Sequence, residues 1–116
     1  MIGVPSTLRI FVAVAPTDLR LGYDGLSRLA REVLEQDPLS GHLFVFSNRR
    51  RNRVKILYGD RDGLAIGMKR LEVGSLRWPL PGASRVEWSP AELAATLGGI
   101  DLKATRKRPR YALAST

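Results

Sequence analysis

Alternating apolar and polar positions divide the chain into short elements. "TLRIFVAVA", residues 7 to 15, is β-branched and apolar with one early charge, the pattern of a largely buried strand. Pro16 stops it, and "TDLRLGYDGL" follows as a turn region that Thr17 or Asp18 can cap. Between positions 24 and 36, Leu26, Leu29, Ala30, Val33 and Leu34 fall at i, i+3, i+4, i+7 and i+8, one stripe of an amphipathic helix. Asp24 is the expected N-cap. Off the stripe, Arg28 with Glu32 and Arg31 with Glu35 are i, i+4 pairs. Asp37 before Pro38 is biased away from helical geometry and ends the helix.

Short strand-like runs come next: "HLFVF", "RVKILY", "LAIGMKRL", "LRW" and "SRVEW". The turn sequences "GDRDG", "EVGS" and "PLPG" separate the later ones, which predicts an antiparallel meander. In "RVKILY", Val54, Ile56 and Tyr58 share one face, and Lys55 and Leu57 the other. "SPAELAATLGGI" predicts a short second helix. Ser89 is its N-cap, Pro90 its first residue and Glu92 the third, which makes a capping box. Gly98 and Gly99 are the stop, with Leu93 and Leu97 facing inward. The expected fold is α+β: a mostly antiparallel meander sheet with two helices packed on one face. A single domain is expected over residues 1–102. From Lys103 the periodicity fades, and residues 103–116 read as a basic, flexible tail.

The length of 116 residues suits one core. Charge changes the picture. The chain carries a net +8 with a pI near 10.8, which favours a polyanionic partner. Residues 1–48 hold four basic and five acidic side chains, and residues 49–116 hold fifteen and six, so the excess belongs to the second part. Ten of those fifteen cations fall in two clusters: Arg49, Arg50, Arg51, Arg53 and Lys55, then Lys103, Arg106, Lys107, Arg108 and Arg110. General solubility would spread the charge instead.

No cysteine is present, which removes a disulfide framework and thiolate metal sites and fits a reducing compartment. His42 is the single histidine, so no histidine-rich metal site can form, and no cofactor is expected. The apolar run from Ile10 to Ala15 is too short for a signal peptide, and nothing approaches the roughly 20 apolar residues that span a bilayer. A cytoplasmic protein without a membrane partner is expected.

The first cluster lies at the join of two strands. Arg49, Arg50, Arg51 and Asn52 would form a hairpin tip, with Arg53 and Lys55 on the returning strand. A two-stranded ribbon fits a DNA major groove, and the arginine fork suits phosphate. A solvated turn, or one neutralised by Asp60 and Asp62, is the competing possibility. Lys69 and Arg70 occupy neighbouring, opposite-facing strand positions; one can join the basic face while the other pairs with Glu72. The tail cations can follow a phosphate backbone or a minor groove as an arm.

Catalysis finds little support. A nuclease core needs carboxylates that hold a divalent metal. Asp60 and Asp62 sit in a Gly-rich turn that favours aspartate for backbone reasons, and Glu92 caps a helix. "DLK" at 101 to 103 has an acid-x-Lys spacing but follows a helix stop. No phosphate-binding glycine loop or Ser/His/Asp set occurs. Trp78 and Trp88 read as packing residues ahead of base-stacking platforms.

"TDLRLGYDGL", "DPLSGHLFVFSNRRRNRVKILYGDRDGLAIGMKRLEVGSLRWP" and "LGGID" together resemble the TnpB-type accessory protein, the second reading frame, of a family of bacterial insertion sequences. That family is unrelated to the RNA-guided nuclease of the same name. The resemblance runs from about residue 2 to 102. It implies a non-catalytic helper of DNA transposition, acting beside a separate transposase that carries the catalytic acids. The motif places here as Arg49, Arg50, Arg51, Lys55, Asp60, Gly63, Lys69, Arg70, Leu71, Glu72, Trp78 and Pro79. The family often has a lysine where Leu21 stands and an aromatic where Gly59 stands. The combined expectation is DNA binding by Arg49, Arg50, Arg51, Arg53, Lys55, Lys69, Arg70, Arg106, Lys107, Arg108 and Arg110. The rival is an interaction module that binds the transposase and touches DNA little.

Overall fold

The computed structural model describes residues 8–60 and 62–98. Among the described residues, five strands form one sheet: β1 (Ile10–Ala13), β2 (Leu43–Ser47), β3 (Arg53–Asp60), β4 (Gly63–Arg70) and β5 (Arg85–Trp88). Two helices accompany them, α1 (Tyr23–Glu32) and α2 (Pro90–Leu97). The spatial order is β4-β3-β2-β1-β5. All neighbours are antiparallel except β1 and β2, which run parallel, Phe11 opposite Phe44. The α+β class and the mostly antiparallel sheet are as the sequence predicts.

Three features differ. The meander holds only for β2, β3 and β4. β1 and β2 are joined by α1 as a crossover, because parallel neighbours cannot be connected by a tight turn. β5 does not continue the meander; it returns to the far side of the sheet and pairs with β1, Val12 opposite Val86.

Second, the two helices cover opposite faces instead of one. Phe11, Ala13, Phe44, Phe46 and Leu57 pack with Leu26, Ala30 and Leu34 of the α1 region. Ile10, Val12, Val45 and Val54 point the other way, toward Leu71, Leu76, Trp78 and the α2 residues Leu93 and Leu97. All four residues of β1 are therefore buried, as a strand covered on both faces requires.

Third, "LRW" is not a strand. The segment after β4 crosses the α2 face as a strap. Leu71 and Leu76 are buried along it, and the Trp78 indole N–H donates to the Ala13 carbonyl at 3.0 Å. Its Leu76 N–H donates to the Arg51 carbonyl at 2.6 Å instead of joining a ladder.

The helix ends also shift. α1 begins after Gly22, with no side-chain cap from Asp24. It stops at Glu32, because Glu35 turns left-handed at φ 57° and Gln36 N–H returns to the Ala30 carbonyl. Glu35 pairs with Arg85 at 3.9 Å. Arg85 also donates to the Leu34 carbonyl, so β5 fastens the C-terminal end of this helix. The capping box of α2 forms as expected: Glu92 N–H donates to Ser89 Oγ at 3.1 Å, and Ser89 N–H to Glu92 Oε1 at 2.7 Å.

Gly59 has a local reason. A Cβ there would lie 2.7 Å from the Pro38 carbonyl oxygen and 2.9 Å from Leu39 Cδ2. The loop at 38–39 closes directly onto β3, which leaves no room for a side chain at this position.

Candidate nucleic-acid interface

One end of the sheet gathers the loops that matter. β1 and β2 finish there, β3 begins, β4 finishes and β5 begins. The turn from Asn48 to Asn52 projects from it. Arg51 N–H donates to the Asn48 carbonyl at 3.1 Å. Asn48 Oδ1 accepts from Asn52 N–H and Arg53 N–H, both at 3.1 Å, and Asn48 Nδ2 donates to Asn52 Oδ1 at 2.7 Å. Two asparagines thus fix the loop through local backbone bonds, the usual role of this side chain in turns.

Within that fixed loop the three consecutive arginines part company. Arg49 and Arg50 are exposed. Arg51 adopts φ 57°, and its guanidinium folds inward. It donates to the Val14 carbonyl at 2.8 Å and to the Ser47 carbonyl at 3.4 Å, and lies 5.0 Å from the centre of the Trp78 ring. Burial first, and then the charge on Arg49, lower its pKa from the ordinary arginine value.

The flanking strands divide likewise. Arg53 is exposed and stands directly opposite Arg70 of β4, on the α1 face. Like charges directly opposite repel. Glu72 relieves Arg70 only through a 3.4 Å contact. Among the described residues, the side chains of Arg49, Arg50 and Arg53 make no hydrogen bond or ion pair. Lys55 donates to the Leu21 carbonyl at 2.9 Å, tying β3 to the loop before α1. Lys69 lies on the α2 face and donates to the Leu97 carbonyl at 2.8 Å, at the end of α2 where a cation suits the helix dipole. Arg106, Lys107, Arg108 and Arg110 lie outside the described residues.

Of the expected contacts, the fold brings Arg49, Arg50, Arg53 and Arg70 together at one exposed end. It gives Arg51, Lys55 and Lys69 protein partners. It adds two cations that the sequence pattern did not single out. Arg77 is exposed next to Leu76, whose N–H is held by the basic turn. Arg20 lies in the loop whose Thr17 N–H donates to the Ser47 carbonyl at 2.8 Å. Neither is near the turn in sequence, so no linear signal marks them. Arg20 is largely committed to Asp18. Its Nη2 lies 2.9 Å from Asp18 Oδ2, and its bonds lower the Asp18 carboxyl to about 2.

Among the described residues, no group of three His, Cys, Asp or Glu side chains is placed to hold a metal ion, and no helix is long and apolar enough to cross a membrane. Trp78 and Trp88 meet edge to face at 5.4 Å and line an open groove of about 440 Å³ beside α2, with Pro79, Val86 and Thr96.

A family model described as IS66 Orf2-like protein matches residues 8–107. The chain is 36% identical over 101 residues to an uncharacterised Sinorhizobium fredii protein, y4hO, covering 87% of this chain and 88% of that one. It is 35% identical over 109 residues to a second, y4jC, covering 94% and 93%. No solved structure matches.

Proposed function

The chain belongs to the IS66 Orf2-like family, whose place is an accessory role in an insertion sequence, and from that premise we propose a non-catalytic factor that binds DNA through the basic end of its sheet. The observation that carries the proposal is the juxtaposition of Arg49 and Arg50, exposed on a turn that two asparagines and Arg51 hold in place, with Arg53 and Arg70, exposed at the adjoining ends of β3 and β4. With the turn's backbone already fixed, phosphate binding costs only the side-chain freedom of the arginines. Phosphate contacts position a protein without reading bases, so sequence preference is weak. Arg106, Lys107, Arg108 and Arg110 are proposed as further phosphate contacts.

Titration of duplex DNA across salt tests this. Four phosphate contacts give a log–log slope of roughly −3.6, steeper if the tail takes part. The combined variant Arg49→Ala, Arg50→Ala, Arg53→Ala, Arg70→Ala should bind more weakly and lose that part of the slope. Undiminished affinity in this variant refutes the assignment. Arg51 is left out because its removal would disturb the turn itself.

A second role, docking onto the transposase of the same element, is favoured by the two-tryptophan groove and by Leu80 and Val73, 85% and 84% exposed on the strap. Co-purification with the transposase after nuclease treatment separates the two roles: a complex that survives requires direct protein contact.

A further inference from the structure

The sheet has two outer strands, β4 and β5. β5 is four residues long and carries Arg85 and Glu87. β4 is eight residues long, and its first six, "GLAIGM", hold no charge and no proline. Its register with β3 runs unbroken from Asp60 opposite Gly63 to Arg53 opposite Arg70, so no bulge twists it away. An outer strand presents a row of backbone donors and acceptors, and proteins usually blunt it with charge, proline or a bulge. Residues 63–68 have none of these.

We propose that β4 is a self-association edge: two copies of this chain pair antiparallel through β4 and join their sheets into one. The charge pattern identifies the occupant. Exposed Asp60 and Asp62 stand before β4, and Lys69 and Arg70 end it. A second copy running the opposite way brings acid to base at both ends, whereas a parallel copy stacks like on like.

The register follows from symmetry. A two-fold axis normal to the sheet keeps every side chain on its own face. With the axis at Ile66, Ile66 meets its own mate, Leu64 meets Met68 of the second copy, and Asp62 meets Arg70. Leu64 and Ile66 already pack on the α1-side core, and the pairing covers Met68, now 68% exposed. On the other face Ala65 meets Gly67, where nothing lies within 4 Å of an added Cβ. Moving the axis to Gly67 would set Asp62 against Glu72 and Leu64 against Arg70. The axis at Ile66 is therefore the register in which apolar pairs occupy the centre and ion pairs the ends.

Self-association through β4 does not depend on whether the basic turn meets DNA: Arg49, Arg50 and Arg53 lie outside the pairing, Arg70 alone is common to both proposals, and Asp62→Arg tests the pairing without touching it. Sedimentation of the full chain at tens of micromolar should show a dimer. The chain has no cysteine of its own, so Ile66→Cys provides a specific probe. Mild oxidation should convert that variant to a covalent dimer and leave Val73→Cys, on the exposed strap, uncrosslinked. Asp62→Arg or Arg70→Asp alone should raise the dissociation constant at least about tenfold, since each creates two like-charge pairs. The double exchange should restore it to within about threefold. A monomer under these conditions overturns the proposal. So does a dimer that neither crosslinks at position 66 nor responds to the charge exchange.

Discussion

Three adjacent arginines show how much a single backbone angle decides. In sequence Arg49, Arg50 and Arg51 are equivalent. In the fold Arg51 is left-handed and reaches the Val14 and Ser47 carbonyls and the Trp78 ring, while its two neighbours face outward. Arg51→Ala should destabilise the protein by about 2 kcal/mol, because a charged donor to half-buried carbonyls and a cation–π contact are lost together. Arg49→Ala and Arg50→Ala should each stay within about 0.5 kcal/mol. Urea unfolding of the three variants checks both values. That a basic run existed was plain from the residues; that one member serves the fold was not, since two of its three partners lie 37 and 27 positions away in the chain. The Asp18 carboxyl is a second local case. Hydrogen bonds from the Arg20 side chain and backbone lower it from 3.8 to about 2. A lowered folded value means the contact stabilises above the ordinary value and is lost as pH falls toward 2. Carboxyl NMR titration should find that midpoint, and Arg20→Ala should move it back up toward 3.8.

Elements were legible in proportion to how local their causes are. The start of the second helix is legible because Ser89, Pro90 and Glu92 act within one turn of each other. Ser89→Ala should cost about 1 kcal/mol, read as a fall in the thermal midpoint, with Ser89→Asp restoring most of it. Strands β2, β3 and β4 were legible for the same reason, being joined by tight turns. The pairing of β1 was not, since its neighbours come from residues 43–47 and 85–88. One clue was present all the same. "IFVAV" is apolar without alternation, which is the composition of a strand with both faces covered. Taken at full weight, it places cover on each side of the sheet. "LRW" misled because three residues of strand-like composition can equally form an extended strap when prolines follow and an indole has a carbonyl to reach.

At the scale of the whole molecule, the described charges of the β3–β4 hairpin separate by end. The arginines of the turn and of the facing strand positions gather at one end, and Asp60 and Asp62 at the other. Net charge alone only favours a polyanion partner; the topology says which loops share an end. That topology also makes the last strand the neighbour of the first. A chain truncated after Arg70 should keep β1 to β4 but leave one side of β1 bare, and should aggregate in light-scattering assays where the full chain stays dispersed. The same closure sets a schedule during synthesis. At about 5–20 residues per second, roughly 4–15 s separate the emergence of β1 from that of β5. For that interval the nascent protein carries an unsealed, wholly apolar strand. Translation products that stop inside the strap would leave that strand permanently bare, since Arg85 to Trp88 supply its second neighbour.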